Sequence, residues 1–429
     1  MGSIRGFVTD EFNKPVENAT IAMPQIGYFA LSHQDGSFLI DEIPNGVYTL
    51  HVIQRYYKPF VFKFDVYSDM LANGIILESI SGEPACEACI GGEREKVSAL
   101  EAKKGIEDTL LGIPGVVGVG IDRNFQFIQV YTTNCEEKIL QQLPKEIAGF
   151  GVTVLCVGYI KAISEIESPS PGYSPKAEYR IRRYRPAIGG ISAAHESVRA
   201  GTLGAIVRNM DGKKMLLSNT HVFANRDMTN EQRADFGDHI LQPGKYDTPR
   251  LMAMGITDST IGYLRDWMKL DPYNENIIDA AVAEPTSQDA VKEFILADPG
   301  NRLIWVKGTK SVTQSMDVKK YSRTTDVAHG KIIDWDASVV VSYQGIPCKF
   351  TDQLIIQMDA TPGDSGALIL DEDNYAVGLL FGGAIQNDSN GIPKQYIFAN
   401  KIGNITAMMG VHFGSVMDTP PAWSTGVIN

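Results

Sequence analysis

The stretch "DATPGDSGALIL", Asp359 to Leu370, sets a serine in a tight Gly-Asp-Ser-Gly turn and runs straight into an apolar strand. A serine hydroxyl is a weak nucleophile until a base takes its proton and an acid orients that base. Of the seven histidines, His221 is the best placed. It closes the run "KKMLLSNTHVFAN", where a strand gives way to a turn that can present the ring at a barrel rim. Asp235, Asp238, Asp258 and Asp279 all follow it as candidate acids. Asp279, in "NIIDAAVAEP", is a lone carboxylate inside an otherwise apolar strand pattern. A charge buried there needs a partner, and a histidine N–H is a good one. His221, Asp279 and Ser365 together would perform acyl transfer. "GDSGA" fails the G-x-S-x-G elbow, which speaks against an α/β-hydrolase. The same residues also admit a plainer reading, Ser365 as a turn residue and His221 as a strand cap. His195, His239 and His329 show no metal-ligand spacing and read as surface or core residues. No metal and no cofactor is expected.

The elements that would position these groups are mostly short strands. From 186 to 418, "GTLGAIVRNMDGKKMLLSN", "RLIWVKG", "DASVVVSYQG", "QLIIQMD", "GALILDEDNYAVGLLFGG" and "KQYIFANKI" read as strands with hairpin turns between them. So much β pattern without a sustained helix predicts a sandwich or barrels. Ahead of it, residues 1–80 alternate apolar and polar in short runs: "SIRGFVTD", "NATIAMPQ", "YFALSHQ", "GSFLIDEI", "GVYTLHVIQ" and "FVFKFDV". These predict a small β-sandwich. A linker, "ISGEPACEACIGG", follows. Residues 92–165 then predict an αββαβ layer domain: a helix with Val97, Leu100, Ile106, Leu110 and Leu111 near one face, strands "GVVGVGID" and "FQFIQVYTT", a helix in "CEEKILQQLPKEIAG", and the strand "VTVLCVGYIKAI". The glycines of "GVVGVG" lack the G-x-G-x-x-G spacing and precede no helix, so they are not a nucleotide loop. The fold class expected is mainly β and multidomain.

The chain has 429 residues, a formal net charge of −12 and a sequence pI near 5.1. Acidity disfavours nucleic acid and anionic membranes as partners. Five basic residues, Lys176, Arg180, Arg182, Arg183 and Arg185, cluster in the Pro- and Ser-rich linker and read as a solvated segment that balances the acidic body. No apolar run reaches the length of a membrane helix, and the start lacks the apolar core of a secretory signal. Five cysteines do not make a disulfide framework, so a cytoplasmic location is the default. Cys86 and Cys89 could be half a zinc site or a redox pair. No second pair or nearby histidine completes a tetrahedral set, and two incidental linker thiols is the simpler reading.

Two resemblances sharpen this. "GFVTDEFNKPVENATI" and "DGSFLIDEIPNGVYTLHV" resemble the carboxypeptidase regulatory-like, transthyretin-like β-sandwich. That implies an accessory module. "LSNTHV", "IDAAVA" and "TPGDSGALIL", with "AVGLLFGG" behind them, resemble the trypsin-like serine peptidases in their chymotrypsin chain order. "PAIGGISAAH", "AGTLGAIV" and "YSRTTDVAHGKI" are similar to intracellular members of that family. The resemblance implies a double β-barrel of chymotrypsin type and an endopeptidase acting on protein or peptide. Ser365 would be nucleophile, His221 base and Asp279 its orienter. The backbone N–H groups of Gly363 and Ser365 would form the oxyanion hole, with Asp364 holding the turn. Phe381, Gly382 and Gly383 would line the pocket before the cut. Asp359 stands either at the base of that pocket or at a surface turn. The family's disulfide behind the histidine is missing. "RPAIGGIS" resembles an activation site, but Pro186 after Arg185 opposes tryptic cutting, so it is read as the first barrel strand. The rival expectation is a protease-fold scaffold without activity. A second copy of the chain or a regulatory protein stays open as partner.

Overall fold

The structure is a computed structural model. It describes residues 2–414 apart from 13, 18, 24–27, 54–56, 58–59, 67–69, 78–98, 123–126, 149, 164–176, 230–232, 249–257, 301, 314 and 388–391. Cys86, Cys89 and Lys176 therefore lie outside the described residues. The chain divides into two compact units, one centred on residues 1–96 and one on residues 97–405.

The first unit is the expected sandwich. Its strands are β1 (Gly2–Asp10), β2 (Thr20–Met23), β3 (Tyr28–Leu31), β4 (Ser37–Ile43), β5 (Gly46–Ile53), β6 (Phe60–Val66) and β7 (Met70–Leu77). They form two sheets, in the orders β4-β1-β7 and β3-β2-β5-β6. Alternation makes it work: along β1 every second residue turns inward, so Ile4 and Val8 join Ile21, Phe38, Ile40, Leu50, Val52 and Val66 in one core.

The second unit begins with α1 (Ala99–Leu111), β8 (Val116–Ile121), β9 (Phe127–Thr132), the single-turn α2 (Glu137–Leu140), β10 (Glu146–Ile147), β11 (Phe150–Cys156) and β12 (Lys161–Ala162). Ala102 and Leu110 of α1 pack on Val119, Ile128 and Val130. The second helix expected here is only one turn long. Cys135 and Cys156 are joined as a disulfide with Cα atoms 5.7 Å apart, a pairing the sparse cysteines did not suggest.

Strands β13 (Ala187–Gly189), β14 (Ile191–His195), β15 (Gly201–Leu203), β16 (Ala205–Asn209), β17 (Lys214–Ser218), β18 (His239–Leu241), β19 (Thr260–Trp267), β20 (Ala281–Pro285), β21 (Val291–Leu296) and β22 (Leu303–Trp305) curl around one core that includes Ile191, Leu203, Leu216, Phe223, Ile240, Ile261, Leu264 and Leu296. α3 (Thr220–Phe223) follows β17. Strands β23 (Asp317–Ser322), β24 (Asp326–Tyr343), β25 (Ile346–Gln357), β26 (Leu368–Asp371), β27 (Ala376–Asn387) and β28 (Pro393–Lys401) pair in the order β24-β23-β26-β27-β28-β25, and β25 returns to β24. That ring is a closed barrel, with Val318, Ile332, Leu354, Ile356, Ile369, Leu380 and Ile397 in one core cluster. α4 (Ile402–Met409) and β29 (Val411–His412) complete the described chain, and β29 pairs with β16.

Residues 92–165 were expected as a separate layer. In the structure they share the barrel's sheet, because β8 pairs antiparallel with β24 through Ser338↔Val119 and Val339↔Gly118. Polar contacts reinforce the seam. Tyr131 donates to Asp334 (2.6 Å), Ser338 donates to Glu107 (2.6 Å), and Lys103 donates to the Asp336 carbonyl (2.5 Å). The basic linker also differs from expectation. Arg182 and Arg183 are exposed, but Arg180 is fully buried, donating to Gly190, Leu296 and Ala297 carbonyls and to Asp326. Arg185 donates to carbonyls of Tyr184, Gln242, Ser259 and Thr260, and burial draws its pKa down to about 10. Among the described residues no helix is long and apolar enough to cross a membrane.

Candidate active site

β17 ends at Ser218, and the one-turn α3 brings His221 back toward the segment ahead of β20. Asp279 lies two residues before β20 begins, rather than within it as the apolar pattern predicted. Three hydrogen bonds stitch the two segments together. Asn219 donates to the Asp279 carbonyl (2.7 Å), Thr220 donates to the Ala280 carbonyl (2.9 Å), and the His221 N–H donates to Asp279 Oδ1 (3.2 Å). The imidazole Nδ1 then meets Asp279 Oδ2 at 2.5 Å. An ionised carboxylate only accepts, so Nδ1 carries the proton and Nε2 presents its lone pair.

Asp279 is fully buried and needs more than one partner. The Tyr343 hydroxyl donates to Oδ2 at 2.8 Å, and the Asp279 N–H donates to Asn400 (3.0 Å). Neither Tyr343 nor Asn400 was predicted; each sits in a strand whose sequence gives no sign that it faces a carboxylate. The rival acids are engaged elsewhere: Asp238 binds His195 (3.0 Å), Asp235 pairs with Arg233, and Asp258 is exposed. Cys348 lies close enough to feel Asp279, and burial above all pushes its thiol up to about 12, so it is no nucleophile at neutral pH.

Ser365 stands in the turn that enters β26. Its carbonyl accepts from Thr202 (2.8 Å). A Cβ on Gly366 (φ +89°) would lie 2.1 Å from Ser218 Oγ, so the serine turn abuts the strand end three residues ahead of His221. Ser365 Oγ and His221 Nε2 are both buried, and neither has a hydrogen-bond partner among the described residues. Gly363 takes φ +98°, and a Cβ there would strike Thr324 Oγ1 at 2.5 Å and Arg323 at 2.6 Å. The N–H groups of Gly363 and Ser365 donate to no described group. Free N–H groups beside a serine can receive an oxyanion.

Asp364 fixes this turn. It accepts from the Thr324, Thr325 and Thr361 N–H groups (2.9, 3.0 and 3.1 Å), from the Thr325 hydroxyl, and from Lys320 Nζ at 2.9 Å. Lys320 and Asp364 are both wholly excluded from solvent. Burial alone would raise the Asp364 carboxyl. The Lys320 ammonium and the threonine donors outweigh it and hold the carboxyl below its ordinary value. Arg323 next door grips Asp247 with two nitrogens (2.7 and 2.6 Å). Lys320 escaped prediction because "VKKYSRTT" looks like an exposed polar edge.

Phe381, Gly382 and Gly383 lie on β27. Phe381 packs against Phe350 with ring centroids 4.8 Å apart. Gly382 and Gly383 do not border an open slot: β12 pairs with them, Lys161 opposite Gly383 and Ala162 opposite Gly382. Asp359 is exposed and lines no buried pocket floor. Glu107, Asp108 and Glu275 converge closely enough to suggest a cation, but Lys349 Nζ fills the cluster, bonding all three at 3.2, 2.6 and 2.7 Å.

Residues 3–69 match the family model described as the carboxypeptidase regulatory-like domain. No curated protein matches the chain. Among solved structures, residues of this chain align with a chymotrypsin of Cellulomonas bogoriensis at 17% identity, covering 53% of this chain and 98% of that one, TM-score 0.38. Protease A of Thermobifida fusca aligns at 17% identity over the same shares, also at TM-score 0.38. A Nocardiopsis protease aligns at 16% identity, covering 53% and 98%, TM-score 0.38. Residues 3–69 are thus similar to the carboxypeptidase regulatory-like domain.

Proposed function

We propose that the protein is a serine endopeptidase that cuts peptide bonds through an acyl-enzyme. The observation that carries this reading is the buried His221–Asp279 pair, together with a serine turn that abuts Ser218, three residues ahead of His221; Ser365 Oγ and His221 Nε2 make no hydrogen bond to each other and would have to close up for the proton transfer. Ser365 attacks the scissile carbonyl. His221 accepts its proton at Nε2 and returns it to the leaving amine. Asp279 holds the tautomer and offsets the imidazolium, with Tyr343 and Asn400 keeping it in place. The N–H groups of Gly363 and Ser365 take the oxyanion. The sandwich, residues 1–80, serves as an accessory module.

A fluorophosphonate probe tests this directly. The parent chain should label at Ser365, and Ser365→Ala should not. Asp279→Asn should keep the fold and lose on the order of 10⁴ in kcat, the scale seen when the imidazole is left in the wrong tautomer. Cleavage of a peptide library by the parent alone would exclude an ester-only activity. Failure of the folded parent and of its folded variants alike to label would favour the inactive scaffold.

A further inference from the structure

β12 and β26 use the same edge of β27. β28 occupies the other edge from Gly378 to Asn387. β26 takes the near edge only as far as Leu379. At Leu380 the serine turn departs, the Gly366 N–H donating to the Leu380 carbonyl and the Leu380 N–H to the Ala367 carbonyl, both 2.9 Å. Directly beyond, Ala162 lies opposite Gly382 and Lys161 opposite Gly383, antiparallel. The chain therefore steps along β27 toward Leu380, with its C-terminal end aimed at Ser365. β24 holds it from the other side: Lys161 pairs with Ser342, whose N–H donates to the Ile160 carbonyl (3.0 Å).

This segment is seated and not merely passing. Ile160, Ala162 and Ile163 are 3%, 0% and 0% exposed. Gly158, at φ +89°, lets the chain come close, since a Cβ there would lie 2.5 Å from the Ile385 carbonyl oxygen. An extended peptide binds by adding a strand to such an edge, main chain to main chain. Its acyl half must run from N to C toward the nucleophile, and β12 has that polarity.

We propose that Ile160–Ile163 is an intramolecular occupant of the peptide-binding edge beside Ser365, lying as the acyl half of a substrate lies, and that peptide gains the site only when this segment leaves. The proposal rests on the peptidase reading. It commits the site to extended main chain, and it makes the closed state latent: the rate toward any substrate scales with the fraction of molecules whose edge is free.

The test uses the full chain and the rate of fluorophosphonate labelling at Ser365. Ala162→Pro removes a ladder donor, and Gly158→Val drives a branched side chain toward Ile385. Each should speed labelling and hydrolysis of an extended peptide by about ten-fold or more, the ratio that corresponds to weakening closure by about 1.4 kcal/mol. A Lys161→Cys, Ser342→Cys chain should lose labelling on oxidation and recover it on mild reduction, with the single-cysteine chains unaffected. The locked pair decides the matter if a loosened variant fails to fold. Equal labelling in parent, loosened and locked chains would overturn the occupant and leave the peptidase standing. No labelling in any folded chain would overturn the peptidase reading and the occupant together.

Discussion

At the scale of single residues, the Lys320–Asp364 pair decides whether the serine turn keeps its shape. Two charges buried together cost much desolvation, and removing one partner strands the other. Lys320→Met should therefore destabilise the chain by about 3–5 kcal/mol and depress Ser365 labelling well beyond its effect on folding. Asp364→Asn in the same chain should recover part of the stability, so a double-mutant cycle by denaturant titration should show strong coupling. If the two losses simply add, the ammonium does not hold the turn. Asp364 has a lowered pKa, so its contribution is present above the ordinary carboxylate value and fades only as pH falls below it. The pairing of His221 with Asp279 was legible because a strand end and an isolated charge mark it, while the role of Ser365 belongs to the proposal. Lys320, Tyr343 and Asn400 were not legible. A buried polar residue is recognised by what faces it, and the facing atoms come from other strands.

At the scale of elements, the seam between β8 and β24 matters most. Asp334 sits there, fully buried and paired with the Tyr131 hydroxyl, and burial raises its carboxyl above the ordinary value despite that bond. A group with a raised folded pKa favours the fold most when protonated and loses that advantage as pH rises through the folded value. Asp334→Asn cannot ionise and keeps an acceptor for Tyr131. Its thermal midpoint should exceed the parent's at neutral pH, and the gap should close as pH falls toward the ordinary carboxylate range. A gap that is constant with pH would show that the Asp334 charge costs nothing there. Period-two alternation revealed six of the seven sandwich strands, and β7 (Met70–Leu77) was missed. β24 was legible only in part. Its 18 residues are interrupted by bulges near Ile332, Asp334 and Ala337, and each bulge breaks the alternation that a sequence reading relies on.

At the scale of the whole molecule, residues 97–405 belong to one compact unit in which the α1–β11 stretch shares a sheet with the β23–β28 barrel. Residues 97–429 alone should unfold in one cooperative transition and keep the parent's labelling rate. Residues 177–429 alone should not, because β24 would lose β8 and expose Val339 and Ser338, both buried in the whole chain. Circular dichroism melts of the two fragments would settle it; a stable 177–429 fragment would make the preceding stretch dispensable for folding. The sequence suggested a boundary there because a Pro- and Ser-rich run usually separates bodies. The strand pairing that crosses it depends on residues more than two hundred positions apart.

The seat of β12 carries a last consequence. A separate inhibitor is shed by dilution, but a strand that belongs to the same covalent chain faces its edge at a fixed local concentration. The resting state would then be the same in one molecule as in a crowded solution. Release would have to come from something that severs, bends or outcompetes the tether.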